Sequence, residues 1–446
     1  MPAIITSNFR LKATESFLDD LQSATNKHYL GIGRAHAWPT VGTPDTPYEN
    51  DSTVNTCWES LYAAKKIDAA DSIYATKRKL WVSGTTYVEY DDQDTDLESK
   101  DYFVITDNNN VMLCLKAGPS GSTTDPDVAG VTTSGIIDNS GSDGYQWKYM
   151  YTVSTGDSTK FLTSSFVPVK RITSDPGSGA DSAYVNQWSV QDNAIDGAIY
   201  NIKVTAGGTG YTSVPTVTIT GNGSSCAATA VLTSQVLTGI TVTNAGTGYD
   251  NAVVTITGGG GSNATARAVI GPEGGFGKDA RNELRAHYIA INKTFNGDES
   301  SAISDGNDFR QIALIENPID DSTSAVAAGS IYRTEASLTV ATGGSFAVDA
   351  EIQGSVSGAK GIVVEYDSTN GIIYYNQNAD TGYGVFDSST PDLIRLSSAG
   401  SGGQTLSAKA VPDLDKYSGE ILFLENRTAV SRGSDQIETI RLVIAF

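Results

Sequence analysis

The chain is poor in the residues that carry most enzyme chemistry. Its 446 residues include three cysteines and three histidines. Cys57, Cys114 and Cys226 are odd in number and far apart. They supply neither a disulfide framework nor a metal-ligand spacing, so reduced, mostly buried thiols are the expected state. His28, His36 and His287 form no HExxH or HxH pattern, which argues against a zinc enzyme. A GxSxG nucleophile elbow is missing. So is any run of 18 or more apolar residues, so no spanning helix and no membrane insertion are expected. The opening MPAIITSNFR lacks a basic stretch followed by a long apolar one, and reads as no secretory signal. Positive charge is also short, with 30 basic residues against 51 acidic and a net charge of −21. Such a surface repels phosphate backbones, so nucleic acid is not an expected partner, and it keeps free chains apart in solution.

What the chain has is β-forming and turn-forming residues, with 46 glycines, 21 tyrosines and abundant Thr, Ser and Val. Its length exceeds what one hydrophobic core usually serves, so two to four domains are expected. The stretch 141–153 (GSDGYQWKYMYTV) places Tyr145, Trp147, Tyr149 and Tyr151 on alternate positions after a glycine turn. Side chains two apart on a strand share a face, so four rings are expected on one side. Core packing is the expected use, with an aromatic platform for sugars or bases as the alternative.

The same stretch carries a resemblance. DGYQWKYMYTV is similar to a segment of a baseplate wedge subunit of contractile-tailed phages of the T-even type. Further pieces resemble that family in the same order. They are AIITSNFR (3–10), GIGRAHAW (31–38), the Trp58 region leading to Arg78 and Trp81, DFRQIALIENPI (308–319), SGEILFLENR (418–427) and DQIETIRLVIAF (435–446). Together they cover about half the chain, and none is a chemical motif. The resemblance implies a mainly β virion protein of the tail baseplate, assembled in the host cytoplasm. It implies a homodimer touching other baseplate wedge proteins, with no cofactor and no turnover.

Taken in order, residues 4–9 read as a strand, followed by a helix capped by Thr14 or Ser16 with Phe17, Leu18 and Leu21 inward. Residues 29–33 read as a strand, and Pro39, Pro44 and Pro47 mark a loop. A second helix is expected over 57–66, capped by Asn55 or Thr56, with Trp58, Leu61 and Tyr62 inward. Lys77, Arg78 and Lys79 read as a solvated strand end. The acidic run 91–101 (DDQDTDLESKD) imitates the start of a calcium hand. It has Leu97 where glycine is required and Phe103 where glutamate is required, so a solvated loop is expected. A hairpin over 102–106 and 111–116, a loop over 119–135, and a strand over 166–172 beside the aromatic one complete this part.

Residues 197–272 hold only three charged side chains, Lys203, Asp250 and Arg267, and form a tandem repeat. Gly210-Tyr211 matches Gly248-Tyr249, and TVTITG (216–221) matches VVTITG (253–258). Two copies can bury a shared apolar face that neither buries alone, and an inert spacer is the expected role. GPEGGFGK (271–278) fails as a phosphate loop, with Pro272 for the first glycine and Asp279 after the lysine, and reads as a linker. Strands are expected over 287–293 and 308–316. Residues 330–412 read as a small barrel or sandwich, with strands over 337–340, 347–352, 361–366, 372–376 and 393–396 and an Asn370-Gly371 hairpin turn. Its Tyr374, Tyr375, Tyr383 and Phe386 serve either the core or a glycan platform. Closing strands are expected over 416–427 and 437–446, with Ile440, Leu442 and Ile444 on one face.

The expected fold is therefore mainly β with a few short helices. It is a β-sandwich core domain (1–196, 273–329 and 413–446) carrying two small inserted β domains (197–272 and 330–412). The expected function is structural: a baseplate wedge component that bridges neighbours and supports tail assembly and contraction. No catalytic, cofactor-binding or metal-ligating residue is singled out. The alternative is receptor or glycan binding through the inserts. A polysaccharide depolymerase ranks below both, since two carboxylates suffice for glycoside hydrolysis and 51 acids single out no pair.

Overall fold

The computed structural model describes residues 3–34, 37–38, 43–127, 135–139, 141–297, 299, 302–390 and 392–446. His36, Pro39 and residues 128–134 of the expected 119–135 loop lie outside them. The described residues form a mainly β protein with short helices. The chain divides into two units, Met1–Ser16 with Ile73–Ala290 and Val443–Phe446, and Phe17–Ser72 with Ile291–Leu442. Each unit contains one insert, and each draws on early and late parts of the chain.

In the first unit, Phe103–Ile105, Asn110–Lys116, Gln146–Thr152 and Ile136–Asp138 lie in that order in one sheet. Tyr145, Trp147 and Tyr149 pack with Tyr87, Met112 and Val190 into an apolar cluster. Tyr145 stacks on Trp147 at 5.6 Å and 14° between planes. Tyr151 departs from the expected common face. Met112 pairs with Tyr149 but Val111 pairs with Tyr151, a bulge at Met150 that reverses the alternation. The Tyr151 hydroxyl instead donates to the Pro168 carbonyl at 3.0 Å. Phe166–Val169 is not a neighbour of the aromatic strand; it pairs with Ser72–Lys77.

The tandem repeat folds by exchange. The first strand of copy one, Ile202–Thr209, pairs with the last of copy two, Ser262–Ala268. The middle strands Thr216–Gly221 and Ala252–Thr257 pair with each other. The last of copy one, Ala227–Thr233, pairs with the first of copy two, Val236–Asn244. Both copies thus line one core through Ile202, Leu237, Ile240 and Tyr249. Each such buried side chain is worth about 1.5–3 kcal/mol, which a single copy would leave in water.

In the second unit, Ile331–Arg333, Leu61–Lys66, His28–Gly33, Asp308–Glu316 and Glu420–Ser431 form a five-stranded sheet in that order. The expected helix over 57–66 is shifted: Asp51–Ser60 is helical and Leu61–Lys66 is a strand. Asn50 caps the helix, its side chain accepting from the Thr53 amide at 2.9 Å. Leu61 turns extended, which lets the following residues pair with His28–Gly33. A Cβ on Gly33 would lie 2.7 Å from the Leu61 Cα, so the junction requires glycine there. Trp58, Leu61 and Tyr62 are all buried, as expected. The strand expected over 4–9 is likewise replaced, since the helix starts early and spans Ser7–Leu21. Thr6 Oγ1 accepts from the Phe9 amide, while Thr14, expected as a cap, sits mid-helix and donates back to the Arg10 carbonyl.

The second insert is a closed barrel of Ala336–Val340, Ile372–Asn376, Lys360–Asp367, Glu351–Gly354, Leu393–Leu396 and Gln404–Ala410. The last strand was not expected, because QTLSAKA has one large apolar residue; Leu406 alone enters the core. The Asn370-Gly371 turn is present, with Gly371 at φ 69°. In the closing strand Ile437–Ala445, Ile440 and Leu442 are buried and Ile444 is half-buried.

Candidate functional site

The acidic run 91–101 is not free. Lys203 donates to Asp91 at 2.9 Å and pairs with Glu89 at 3.0 Å. Arg267 pairs with Asp91 and, at 3.0 Å, with Asp92. Two of the repeat's three charged side chains therefore hold it to the start of this loop, while Asp94 pairs with Lys100 and Asp96 accepts from Ser99 within the loop. Partial burial opposes ionisation of Asp91, but hydrogen bonds from Lys203, the Gln93 amide and Arg267 outweigh it and hold its pKa down at about 2. A carboxyl depressed in the fold stabilises above its unfolded value near 4 and loses that contribution as pH falls towards 2. Asp91→Asn is expected to cost about 1–2 kcal/mol at pH 7, kept small because the partners are part-exposed. In urea melts its gap to the native protein should narrow below about pH 4 and close only as pH falls through about 2.

The 271–278 stretch, expected as a linker, is packed. Phe276 is buried against Tyr90, ring centroids 5.0 Å apart. The Gly277 amide donates to both Glu283 carboxylate oxygens at 2.9 and 2.8 Å, and the Asp279 amide donates to one at 3.0 Å. Glu283 is fully buried, and burial lifts its pKa to about 7 despite those amides and the nearby Lys148. Lys148, buried on the aromatic strand, is lowered by burial. Of the basic cluster, Lys77 is exposed as expected, whereas Arg78 and Lys79 turn inward. Lys79 reaches Asp101 at 2.6 Å and the Lys100 carbonyl at 2.8 Å, and Arg78 reaches the Thr163 carbonyl at 3.0 Å.

His287 is buried, with Nε2 2.9 Å from Ser7 Oγ. Burial, opposed by Glu98, lowers its pKa to about 4. His28 is buried beside Asp20 and Glu316, a grouping of ligand-type atoms that the sequence spacing does not reveal. The three residues come from a helix and two strands, and the antiparallel pairing sets His28 opposite Glu316.

No protein-family model matches this chain, and no curated protein matches it.

Two exposed features remain. Ile4, Ile5 and Phe9 are 86%, 65% and 63% exposed, three large apolar side chains within six residues. In the second unit, Glu420–Ser431 is the outer strand of its sheet and pairs on one side with Asp308–Glu316. No strand covers its other side among the described residues, and Leu422 is exposed. A cleft of about 250 Å³ in that unit is lined by Arg34, Glu59, Asp349, Asn376 and Asp380. The barrel's aromatic residues are divided. Tyr375 and Phe386 lie in its core, Arg333 covers the Tyr374 ring at 3.8 Å, and Tyr383 is exposed with its hydroxyl on Glu59.

Proposed function

We propose that the protein is a structural subunit of a contractile-tail baseplate, a wedge component that bridges neighbouring proteins and itself. One observation carries this reading. Of the segments that resemble the wedge family, those over 141–153 and 308–319 are packed inside, whereas 3–10 and 418–427 leave Ile4, Ile5, Phe9 and Leu422 in solvent. Clustered exposed apolar side chains mark an interaction surface, and an unpaired outer strand can accept a strand from a partner. The interior segments then build the frame and the exposed ones meet neighbours. A charge of −21 would keep unassembled copies apart.

The glycan-binding alternative draws less support, since two of the four rings proposed as a platform are in the barrel core. The test is the triple variant Ile4→Ser, Ile5→Ser, Phe9→Ser. It should leave Tm within about 2 °C, because exposed positions contribute little to stability. It should abolish self-association in analytical ultracentrifugation or incorporation into tail particles. Unchanged assembly would overturn the reading, and loss of host attachment with normal assembly would favour the glycan alternative.

A further inference from the structure

Asp20, His28 and Glu316 all belong to the second unit. Asp20 lies in the last turn of helix Ser7–Leu21. His28 opens strand His28–Gly33 and stands directly opposite Glu316 in the antiparallel ladder, so the two side chains share a face. One ligand atom from each of the three residues lies within 4.8 Å of the others.

The imidazole is the informative member. His28 is 1% exposed, and neither ring nitrogen makes a hydrogen bond. Nε2 nonetheless points into the cluster, 3.1 Å from Asp20 Oδ2. A buried imidazole with a carboxylate beside it but no well-aligned hydrogen bond is uncommon, and a bound ion would satisfy both groups. The carboxylates are held from behind. Asn26 donates to Asp20 Oδ1, and Asn317 donates to Glu316 Oε1 at 3.2 Å. Asn317 is itself fixed, accepting from the Lys27 amide at 2.8 Å and donating its own amide to the Lys27 carbonyl. Amide donors behind carboxylates are the usual outer layer of a metal centre. Among the described residues neither Asp20 nor Glu316 forms an ion pair with Lys or Arg.

We infer that Asp20, His28 and Glu316 form a binding site for one divalent transition-metal ion of the zinc or manganese class, with water completing its shell. One imidazole nitrogen and two carboxylates suit such ions, while calcium and magnesium prefer oxygen throughout. A cation about 2.0–2.2 Å from each ligand needs them roughly 3–3.5 Å apart. The His28–Asp20 distance meets this already. Glu316, half-buried, closes the remainder by side-chain rotation. The ion would tie the end of the first helix to the middle of the five-stranded sheet. This inference does not depend on the baseplate reading.

The test uses the full chain, free of affinity tag and stripped with chelator, and adds Zn²⁺ or Co²⁺ alone. The expected result is one ion per chain by elemental analysis, visible d–d absorption with Co²⁺, and a rise in Tm. At a hundredfold excess over Kd that rise should be roughly 5–10 °C. Glu316→Gln and Asp20→Asn alter part-exposed positions and should fold, each binding at least about tenfold more weakly. His28→Ala should abolish binding if it folds. Failure of the native chain to bind, or equal binding by Glu316→Gln, overturns the site. Equal retention of Ca²⁺ or Mg²⁺ overturns the choice of metal class. Cys57 and Cys114 are buried, and burial raises both thiols, Cys57 to about 12, so they do not compete for the ion.

Discussion

Glu283→Ala is expected to destabilise the first unit by about 3–5 kcal/mol, as removal of one partner from a buried charged network does. The Glu283 carboxylate is the acceptor for the Gly277 and Asp279 amides and lies near the buried Lys148. Alanine would strand both amides and remove a carboxylate that lies near Lys148. Burial raises the Glu283 pKa from 4.5 to about 7. The folded chain therefore holds a proton that the unfolded chain has released between those values. Stability must fall as pH rises through that window, by up to roughly 3 kcal/mol from this group. Glu283→Gln keeps the shape and removes the titration. It should match the native protein near pH 4.5 and lose less stability by pH 8. Urea melts at the two pH values check both statements, and a pH slope in Glu283→Gln equal to the native one would refute the second.

The second large effect lies in the repeat. A Cβ on Gly223 would meet the Tyr249 ring at 2.4 Å and the Thr247 carbonyl at 2.6 Å. A Cβ on Gly261 would meet the Tyr211 ring at 2.5 Å and the Thr209 carbonyl at 2.7 Å. Each copy thus seats its tyrosine on a glycine of the other copy. Gly223→Val and Gly261→Val are each expected to cost about 3 kcal/mol, since both the ring and the neighbouring backbone must move. Similar penalties are the signature of the exchange between copies. If each copy folded on itself, Tyr249→Leu would act independently of Gly223→Val. In the exchanged fold the two are non-additive, because the smaller side chain relieves the clash. Thermal melts of the two single variants and the double variant measure that coupling, and strict additivity would contradict the arrangement.

Features set by neighbouring residues were readable from the sequence. The repeat was visible because its strands and turns recur at nearly constant spacing. The hairpin at Asn370-Gly371 was visible because its turn chemistry is local. The strand over 308–316 was visible because a continuous apolar run bounded by Asn317-Pro318 has few other solutions. Errors fell where a local preference met a distant partner. Leu61–Lys66 has helix-compatible residues, yet it is a strand because His28–Gly33 lies alongside. Tyr151 obeys period two in sequence, but the bulge at Met150 turns it to the other face. GPEGGFGK has a linker's composition, and its amides are claimed by a carboxylate that only the fold delivers.

The alternation of apolar residues and the turn dipeptides were enough to establish a mainly β protein with few short helices. They act through neighbours in the chain, where spacing alone decides which side chains share a face. The cluster of Asp20, His28 and Glu316, the burial of Glu283 and the exchange between repeats arose only on folding. Each depends on which distant strands pair and in which register, and that choice is made by burying whole faces together.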